Sequence, residues 1–213
     1  MPGLIEILQT WWPLPLAYFI GATPFGFLAG KLKGIDIRDH GSGNIGATNV
    51  IRTLGKPIGI TVLALDIFKG MTPVIIALII SDSLIVPIAT SIAAILGHNY
   101  TFWLGFKGGK GIATTAGAVA PIMPIAIFVA VLAWLVGVRV SRYVSVGSIA
   151  AAIAIPVTVL IESYFSKEFD PAKLAFALFV CLLAIWKHRS NIGRLKRGEE
   201  PRTAPKNQST ISE

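Results

Sequence analysis

Apolar residues in this chain come in long runs that are separated by short polar segments. The runs follow neither the 3.6-residue period of an amphipathic helix nor the alternation of a half-buried strand. Several approach the ~20 residues that an α-helix needs to cross a bilayer. The pattern predicts an all-α, polytopic membrane protein. The predicted membrane helices cover residues 12–30, 57–80, 84–97, 112–124, 125–140, 144–162 and 172–187.

Several predicted helices are short, which is typical of tilted helices or of half-helices that stop at a site inside the membrane. Segment 112–140 allows one helix or two, because Pro121 and Pro124 lie near its middle. Two helices place 16 Lys and Arg residues on one side and two on the other, with Lys69 inside a helix, whereas one helix places nine on each side. The positive-inside rule therefore favours seven helices, with the N-terminus outside and the C-terminus cytoplasmic.

Composition supports this class of protein. Hydrophobic residues make up 54% of the chain and charged residues 14%, against ~25% charged in soluble domains, and the mean hydropathy is +0.70. The net charge of +8 is mostly cytoplasmic flanking charge that favours anionic lipid headgroups, so we predict no nucleic-acid partner. One cysteine, Cys181, excludes a disulfide framework, and no Cys/His spacing predicts a metal. No metal or cofactor is expected.

The first apolar run lacks a basic flank and a small-residue cleavage site, and it is predicted to be a mature helix. Residues 1–197 are predicted to form one membrane domain. Residues 198–213 are polar, contain two prolines and are predicted to be a disordered cytoplasmic tail.

Lys107-Gly108-Gly109-Lys110-Gly111 is the most informative polar segment. Its glycines allow backbone amides to point one way, two ammonium groups flank the loop, and a helix is predicted to begin at Ile112. Together these features favour phosphate. The Walker A spacing is absent, because Leu104 occupies the first glycine position and Gly111 replaces the Ser/Thr that binds Mg²⁺. We therefore predict phosphate binding without nucleotide hydrolysis; the alternative is a basic turn that obeys the positive-inside rule.

Other polar positions allow a functional and a structural interpretation. Segment 41–52 offers many neutral hydrogen-bonding groups and a guanidinium suited to phosphate, or it is an ordinary polar loop. Asp66 and Lys69 share a helix face and form a structural ion pair or contact a ligand. Ser145 caps a helix or binds a ligand. His98 is a general base or bonds backbone carbonyls at a helix end.

These motifs resemble those of the bacterial membrane-embedded glycerol-3-phosphate acyltransferases that use acyl phosphate as donor. The match follows the whole chain in order and leaves out the tail past Gly198. The matching stretches are GSGNIGATNVIR (41–52), LDIFKG (65–70), GHNY (97–100), FKGGKGIAT (106–114), RYVS (142–145) and HRSNIGR (188–194).

The resemblance implies seven helices, a bacterial cytoplasmic (inner) membrane location and an active site on the cytoplasmic side. It also implies transfer of a fatty acyl group from acyl phosphate to the 1-hydroxyl of sn-glycerol 3-phosphate, the first acylation of phospholipid synthesis. The products are lysophosphatidic acid and phosphate. The His-x4-Asp motif of acyl-CoA-dependent enzymes is absent, since Ile45, Trp103 and Gly193 follow the three histidines at that spacing.

The resemblance also implies the site residues. Glycerol 3-phosphate is assigned to Ser42, Arg52, Lys110, Ser145, His188 and Asn191, of which Ser42, Lys110, His188 and Asn191 are the catalytic candidates. Acyl phosphate is assigned to Asn44, Lys107, Gly108, Gly109, Lys110, Gly111 and Thr114. Expected partners are the two substrates, membrane lipids and the enzyme that makes acyl phosphate. The alternative function is a transporter for a phosphorylated or anionic solute.

Overall fold

The computed structural model describes residues 10–203, which form helices and loops and contain no β-strand. The predicted all-α class is confirmed. Two short 3₁₀ helices cover Ile37–Asp39 and Phe102–Leu104. The α-helices, numbered in chain order, are α1 (Pro13–Ala22), α2 (Phe25–Leu32), α3 (Ala47–Leu54), α4 (Lys56–Ile80), α5 (Ile85–Asn99), α6 (Ile112–Val119), α7 (Pro124–Ser141), α8 (Val144–Ser166), α9 (Pro171–Lys187) and α10 (Arg189–Lys196).

Five segments of the described chain are long and apolar enough to cross a bilayer, and α9 with α10, bent by 52°, is a sixth. The five are Pro13–Leu32, Lys56–Ile80, Ile85–Leu104, Pro124–Ser141 and Val144–Ser166. Segment 112–140 does divide into two helices, as the charge distribution predicted. However, α6 has only eight residues and rises about 12 Å, far less than the ~30 Å of a hydrocarbon core. Seven crossings and the sides of the termini therefore stay predictions.

One apolar core lies where α4 to α9 meet, and many apolar side chains outside it face outward. In α7, only Ala126 and Ala130 are buried, while Phe128 and Val140 are 65% and 80% exposed. Such an exposed apolar surface suits lipid rather than water. The buried core includes Val74, Ile95, Val119, Phe176 and Val180.

Glycines bring α6 into backbone contact with α4. A Cβ built on Gly70 would overlap the carbonyl oxygen of Thr114, and a Cβ on Gly117 would overlap that of Ile67. Small residues allow this close approach between membrane helices. The contact fixes the position of α6, and with it the glycine-lysine loop that precedes it.

A buried ion pair holds α4 against the break between α1 and α2. Lys69 Nζ lies 2.7 Å from Asp66 Oδ1 and donates a 2.8 Å hydrogen bond to the carbonyl of Thr23. The pairing predicted from the i,i+3 spacing is confirmed. His98 Nδ1 lies 3.8 Å from Asp66 Oδ1 and, among the described residues, has no hydrogen-bond partner, so it does not bond carbonyls at the helix end.

Candidate active site

The glycine-lysine loop rests on the C-terminal end of α5. The Gly109 amide donates to the carbonyl of His98 at 3.1 Å, and the Gly108 amide donates to that of Asn99 at 3.2 Å. A Cβ on Gly109 would overlap the His98 ring. A Cβ on Gly111, which has φ +81°, would overlap the side-chain amide of Asn99. Two of the loop amides are thus used to seat the loop and do not point at a ligand.

The second half of the loop is the part that remains available to an anion. Within the described chain, no hydrogen bond engages the amides of Lys110 and Gly111. The helix α6 begins at Ile112, as predicted, and the amides of its first turn have no partner inside the helix. These amides and the positive end of the helix dipole favour negative charge at this point.

The Lys110 ammonium lies beside α10. Its Nζ donates a hydrogen bond to Asn191 Oδ1. Burial lowers the pKa of Lys110 to about 8, against the opposing effect of the nearby Glu200 carboxylate. Neighbouring cations act in the same direction as burial: Arg194, Arg52 and Lys187. Several positive charges therefore converge on a small, partly dehydrated volume.

Segment 41–52 is shaped by its own asparagines. Asn49 is buried; its Oδ1 accepts the Ser42 amide at 2.8 Å, and its Nδ2 donates to the carbonyls of Ile37 and His40 at 3.2 and 3.0 Å. Asn44 Oδ1 accepts the amide of Gly46 at 2.9 Å. Asn49 therefore fixes the conformation of the loop that carries Ser42, and its role is structural.

Helices α8 to α10 contribute Ser145 and His188. The helix α8 begins after Tyr143 without a side-chain cap, so the capping role considered for Ser145 is wrong. The Ser145 hydroxyl is buried and finds no hydrogen-bond partner in residues 10–203. His188 Nδ1 lies 2.8 Å from the Ala184 carbonyl. Because a carbonyl only accepts, Nδ1 carries the hydrogen, and Nε2 of the neutral ring is left to accept a hydrogen bond.

These elements enclose a cavity of about 340 Å³ with two chemically different ends. The polar end is lined by Ser42, Asn44, Arg52, Lys110, Ser145, His188, Asn191, Arg194 and Glu200. The apolar part is lined by Leu63, Ile67, Ile127, Val131, Trp134, Ile155 and Val180, among others. A cationic end joined to an apolar one suits an amphiphile with an anionic head.

The cavity brings together all six residues assigned to glycerol 3-phosphate and part of the set assigned to acyl phosphate. Asn44, Lys110 and Gly111 line it, whereas Lys107, Gly108, Gly109 and Thr114 do not. Lys107 is exposed. Thr114 is fully buried, and its hydroxyl has no hydrogen-bond partner in the described chain.

Sequence reasoning missed Arg194 and Glu200 as residues of this cavity. Asp66 and His98, for which it named no certain role, also line the cavity. Glu200 Oε1 accepts from Asn191 Nδ2 at 2.6 Å, and Oε2 accepts from Arg194 Nε at 2.8 Å. This differs from the predicted disorder of 198–213 over residues 198–203; residues 204–213 lie outside the described chain. No sequence signal marked Glu200, because its contacts with Asn191 and Arg194 form only where the chain folds back along α10 after Gly198.

Fold and site together define a multi-pass membrane protein with a cavity that suits an anionic amphiphile. The glycerol-3-phosphate acyltransferase family profile matches residues 11–198. The chain belongs to this family, and its resemblance to that family is confirmed. It is an enzyme of phospholipid synthesis, and the transporter alternative is not favoured.

Curated relatives and solved structures cover most of the chain. The glycerol-3-phosphate acyltransferase of Desulforamulus reducens is 48% identical over 185 residues, which is 86% of this chain and 90% of the relative. That of Geobacter sulfurreducens is 43% identical, covering 88% and 94%. Crystal structures of PlsY (YgiH), an integral membrane glycerol 3-phosphate acyltransferase, are similar in its glycerol 3-phosphate form (TM-score 0.84, 40% identity) and its lysophosphatidic acid form (TM-score 0.81, 39% identity). Each covers 91% of this chain and 94% of the crystallised chain.

Proposed function

We propose that the enzyme transfers a fatty acyl group from acyl phosphate to the 1-hydroxyl of sn-glycerol 3-phosphate. The observation that carries this proposal is the two-ended cavity, in which several cations and free amides adjoin an apolar volume. The phosphate ends of both substrates lie at the cationic end. The acyl chain extends along the apolar end, where each buried CH₂ contributes about 0.8 kcal/mol.

The proposed roles follow from where the side chains lie. Arg52, Lys110 and Asn191 hold the phosphate of glycerol 3-phosphate, and charge-assisted hydrogen bonds suit that task. Ser42 and the buried, unpartnered hydroxyl of Ser145 orient the same substrate. His188 accepts a hydrogen bond from the glycerol through Nε2.

The acyl phosphate is held by Gly111, Asn44 and the first turn of α6. Lys107, Gly108, Gly109 and Thr114 are left out of the proposed contacts because they do not line the cavity. Gly108 and Gly109 instead seat the loop on α5.

Acyl phosphate is a mixed anhydride with a good leaving group, so no covalent enzyme nucleophile is needed. The glycerol oxygen forms the new ester bond to the acyl carbon, the bond from that carbon to the phosphate oxygen breaks, and the departing phosphate takes the hydroxyl proton. The protein holds two anions side by side and stabilises the charge that develops. Lys110 and Arg52 supply positive charge for this step.

The donor is tested by comparing palmitoyl phosphate with palmitoyl-CoA at equal concentration in purified protein. We expect lysophosphatidic acid and inorganic phosphate to form in equal amounts from palmitoyl phosphate, with little product from the CoA ester. The polar end of the cavity lies between short loops, which leaves little surface for adenosine and pantetheine. Equal or faster turnover with palmitoyl-CoA would refute the donor assignment.

The proposed setting is the bacterial cytoplasmic (inner) membrane, with seven crossings, the N-terminus outside and the site on the cytoplasmic side. The distribution of 16 against two basic residues supports it. Impermeant labelling of cysteines introduced at positions 3 and 205 tests it, and labelling of both from one side would contradict it. Because acyl phosphate is reactive, we also propose that the enzyme producing it is a partner.

A further inference from the structure

Residues 198–203, here called the C-terminal strap, cross the polar mouth of the cavity. The strap leaves α10 at Gly198, which has φ +72° and open space around it. It reaches the turn between α7 and α8, where the Thr203 amide donates to the carbonyl of Arg142 at 2.8 Å. Arg202 Nε donates to the Tyr143 hydroxyl at 3.0 Å. The strap therefore joins α10 to the start of α8, and both of these elements contribute residues to the lining of the cavity.

Glu200 projects from the middle of the strap into the cavity. It is only 8% exposed, and glutamate is rarely so buried unless it is paired. Its carboxylate accepts hydrogen bonds from Asn191 and Arg194. Burial raises the pKa of the Glu200 carboxyl, but the neighbouring Asn191, Ser145 and Arg194 side chains together outweigh burial and hold the pKa below its ordinary value. Glu200 is thus an anion that the protein itself places at the cationic end.

Two of the side chains that the strap engages, Asn191 and Arg52, are among those proposed to bind the substrate phosphate. Asn191 is shared between the Glu200 carboxylate and the Lys110 ammonium, and Arg52 donates to the Pro201 carbonyl at 3.3 Å. A carboxylate and a phosphate both accept hydrogen bonds from amides and guanidinium groups, so they compete for the same donors. Two anions held in one small volume also repel each other.

We propose that the strap is a gate that substrate displaces, in which Glu200 occupies the place of the phosphate of glycerol 3-phosphate. The inference rests on the phosphate assignment in the proposed function. In the closed state, Asn191, Arg194 and Arg52 are engaged by the strap. Glycerol 3-phosphate binds after the strap lifts, and the apparent dissociation constant is then the intrinsic constant divided by the open fraction.

The anchors of the strap suit a gate that opens. The Arg202–Tyr143 and Thr203–Arg142 contacts are exposed, and hydrogen bonds of this kind contribute about 0.5–1.5 kcal/mol each. A phosphate dianion carries more charge than the carboxylate and has three acceptor oxygens. The family profile ends at residue 198, where the strap begins.

The test is binding of glycerol 3-phosphate and of inorganic phosphate, measured by titration calorimetry on the full-length protein without acyl donor. Glu200→Gln keeps the size of the side chain and removes its charge. We expect both ligands to bind roughly three- to tenfold more tightly than to the unmodified protein, as the open fraction rises. Glu199→Gln is the matched control, because Glu199 is exposed and pairs with Arg197 at 2.7 Å; its affinities should equal those of the unmodified protein.

Weaker or unchanged binding in Glu200→Gln would overturn the gate and make Glu200 a residue that positions Asn191 and Arg194. Arg202→Ala, which loosens the strap outside the cavity, decides the question if Glu200→Gln does not fold: tighter binding supports the gate, and equal or weaker binding refutes it. Since these titrations contain no acyl donor, a wrong donor assignment would appear in turnover and leave the titrations unaffected.

Discussion

Replacing Lys110 by alanine removes the one ammonium group that both lies in the glycine-lysine loop and faces the cavity. Lys110 Nζ donates to Asn191 Oδ1 and lies among other cations. Burial lowers the pKa of this lysine to about 8, so the folded protein disfavours its charge. Removing that charge should therefore not destabilise the fold. A loss of activity in Lys110→Ala would then reflect a lost contact with the substrate.

The size of the effect follows from the contact that is lost. A hydrogen bond between charged groups contributes about 1.5–3 kcal/mol. At 1.36 kcal/mol for each factor of ten, kcat/KM for glycerol 3-phosphate should fall by roughly 10- to 150-fold. Because the phosphate is bound in both the ground state and the transition state, part of this loss should appear as a higher KM.

The assay is phosphate release from palmitoyl phosphate by detergent-purified protein, with thermal unfolding measured in parallel. Lys107→Ala is the comparison, since it removes the same charge three residues earlier in the loop motif from an exposed side chain outside the cavity. We expect Lys107→Ala to stay within about threefold of the unmodified enzyme, as is usual for surface changes of under ±0.5 kcal/mol. Equal kinetics in Lys110→Ala and the unmodified enzyme would show that the glycine-lysine loop is not part of the active site.

Two further predictions concern the cationic end. Arg52→Lys should lower kcat/KM about tenfold or more in the same assay, because an ammonium cannot reproduce the two parallel hydrogen bonds of a guanidinium; near-normal kinetics would show that Arg52 does not hold phosphate. Lys110 is protonated below its pKa of about 8, so kcat/KM should fall as the pH rises through 8. This alkaline decline should be absent in Lys110→Arg, whose side chain stays protonated, and its persistence there would assign it to another group.

Local signals in the sequence predicted much of this molecule. The start of α6 follows from a glycine run before an apolar segment, and the Asp66–Lys69 pair follows from i,i+3 spacing inside a membrane helix. The division of 112–140 follows from the expectation that basic residues cluster on one side of the membrane. Each of these predictions depends either on residues that are close together in the chain or on the bilayer, which constrains every segment in the same way.

Tertiary contacts decided what the sequence left open. Lys107 and Lys110 belong to one motif, but only Lys110 lines the cavity, because the amides of Gly108 and Gly109 are fixed to the end of α5. Glu200 lies in a polar stretch with the composition of a disordered tail, and the reversal of the chain after α10 brings it back to Asn191. Neither the position of Lys110 in the cavity nor that of Glu200 can be predicted from composition or periodicity.

The cavity with one cationic and one apolar end has a consequence for work with the purified protein. A detergent monomer has a polar head, a single alkyl chain and much the same outline as a one-chain lipid. Such a molecule is expected to enter the apolar end and to compete there, more strongly as its alkyl chain lengthens, by about 0.8 kcal/mol for each buried CH₂. Kinetic constants obtained in micelles therefore describe the enzyme together with its surfactant. Kinetic constants measured in nanodiscs, which hold no free surfactant, would describe the enzyme in a lipid bilayer.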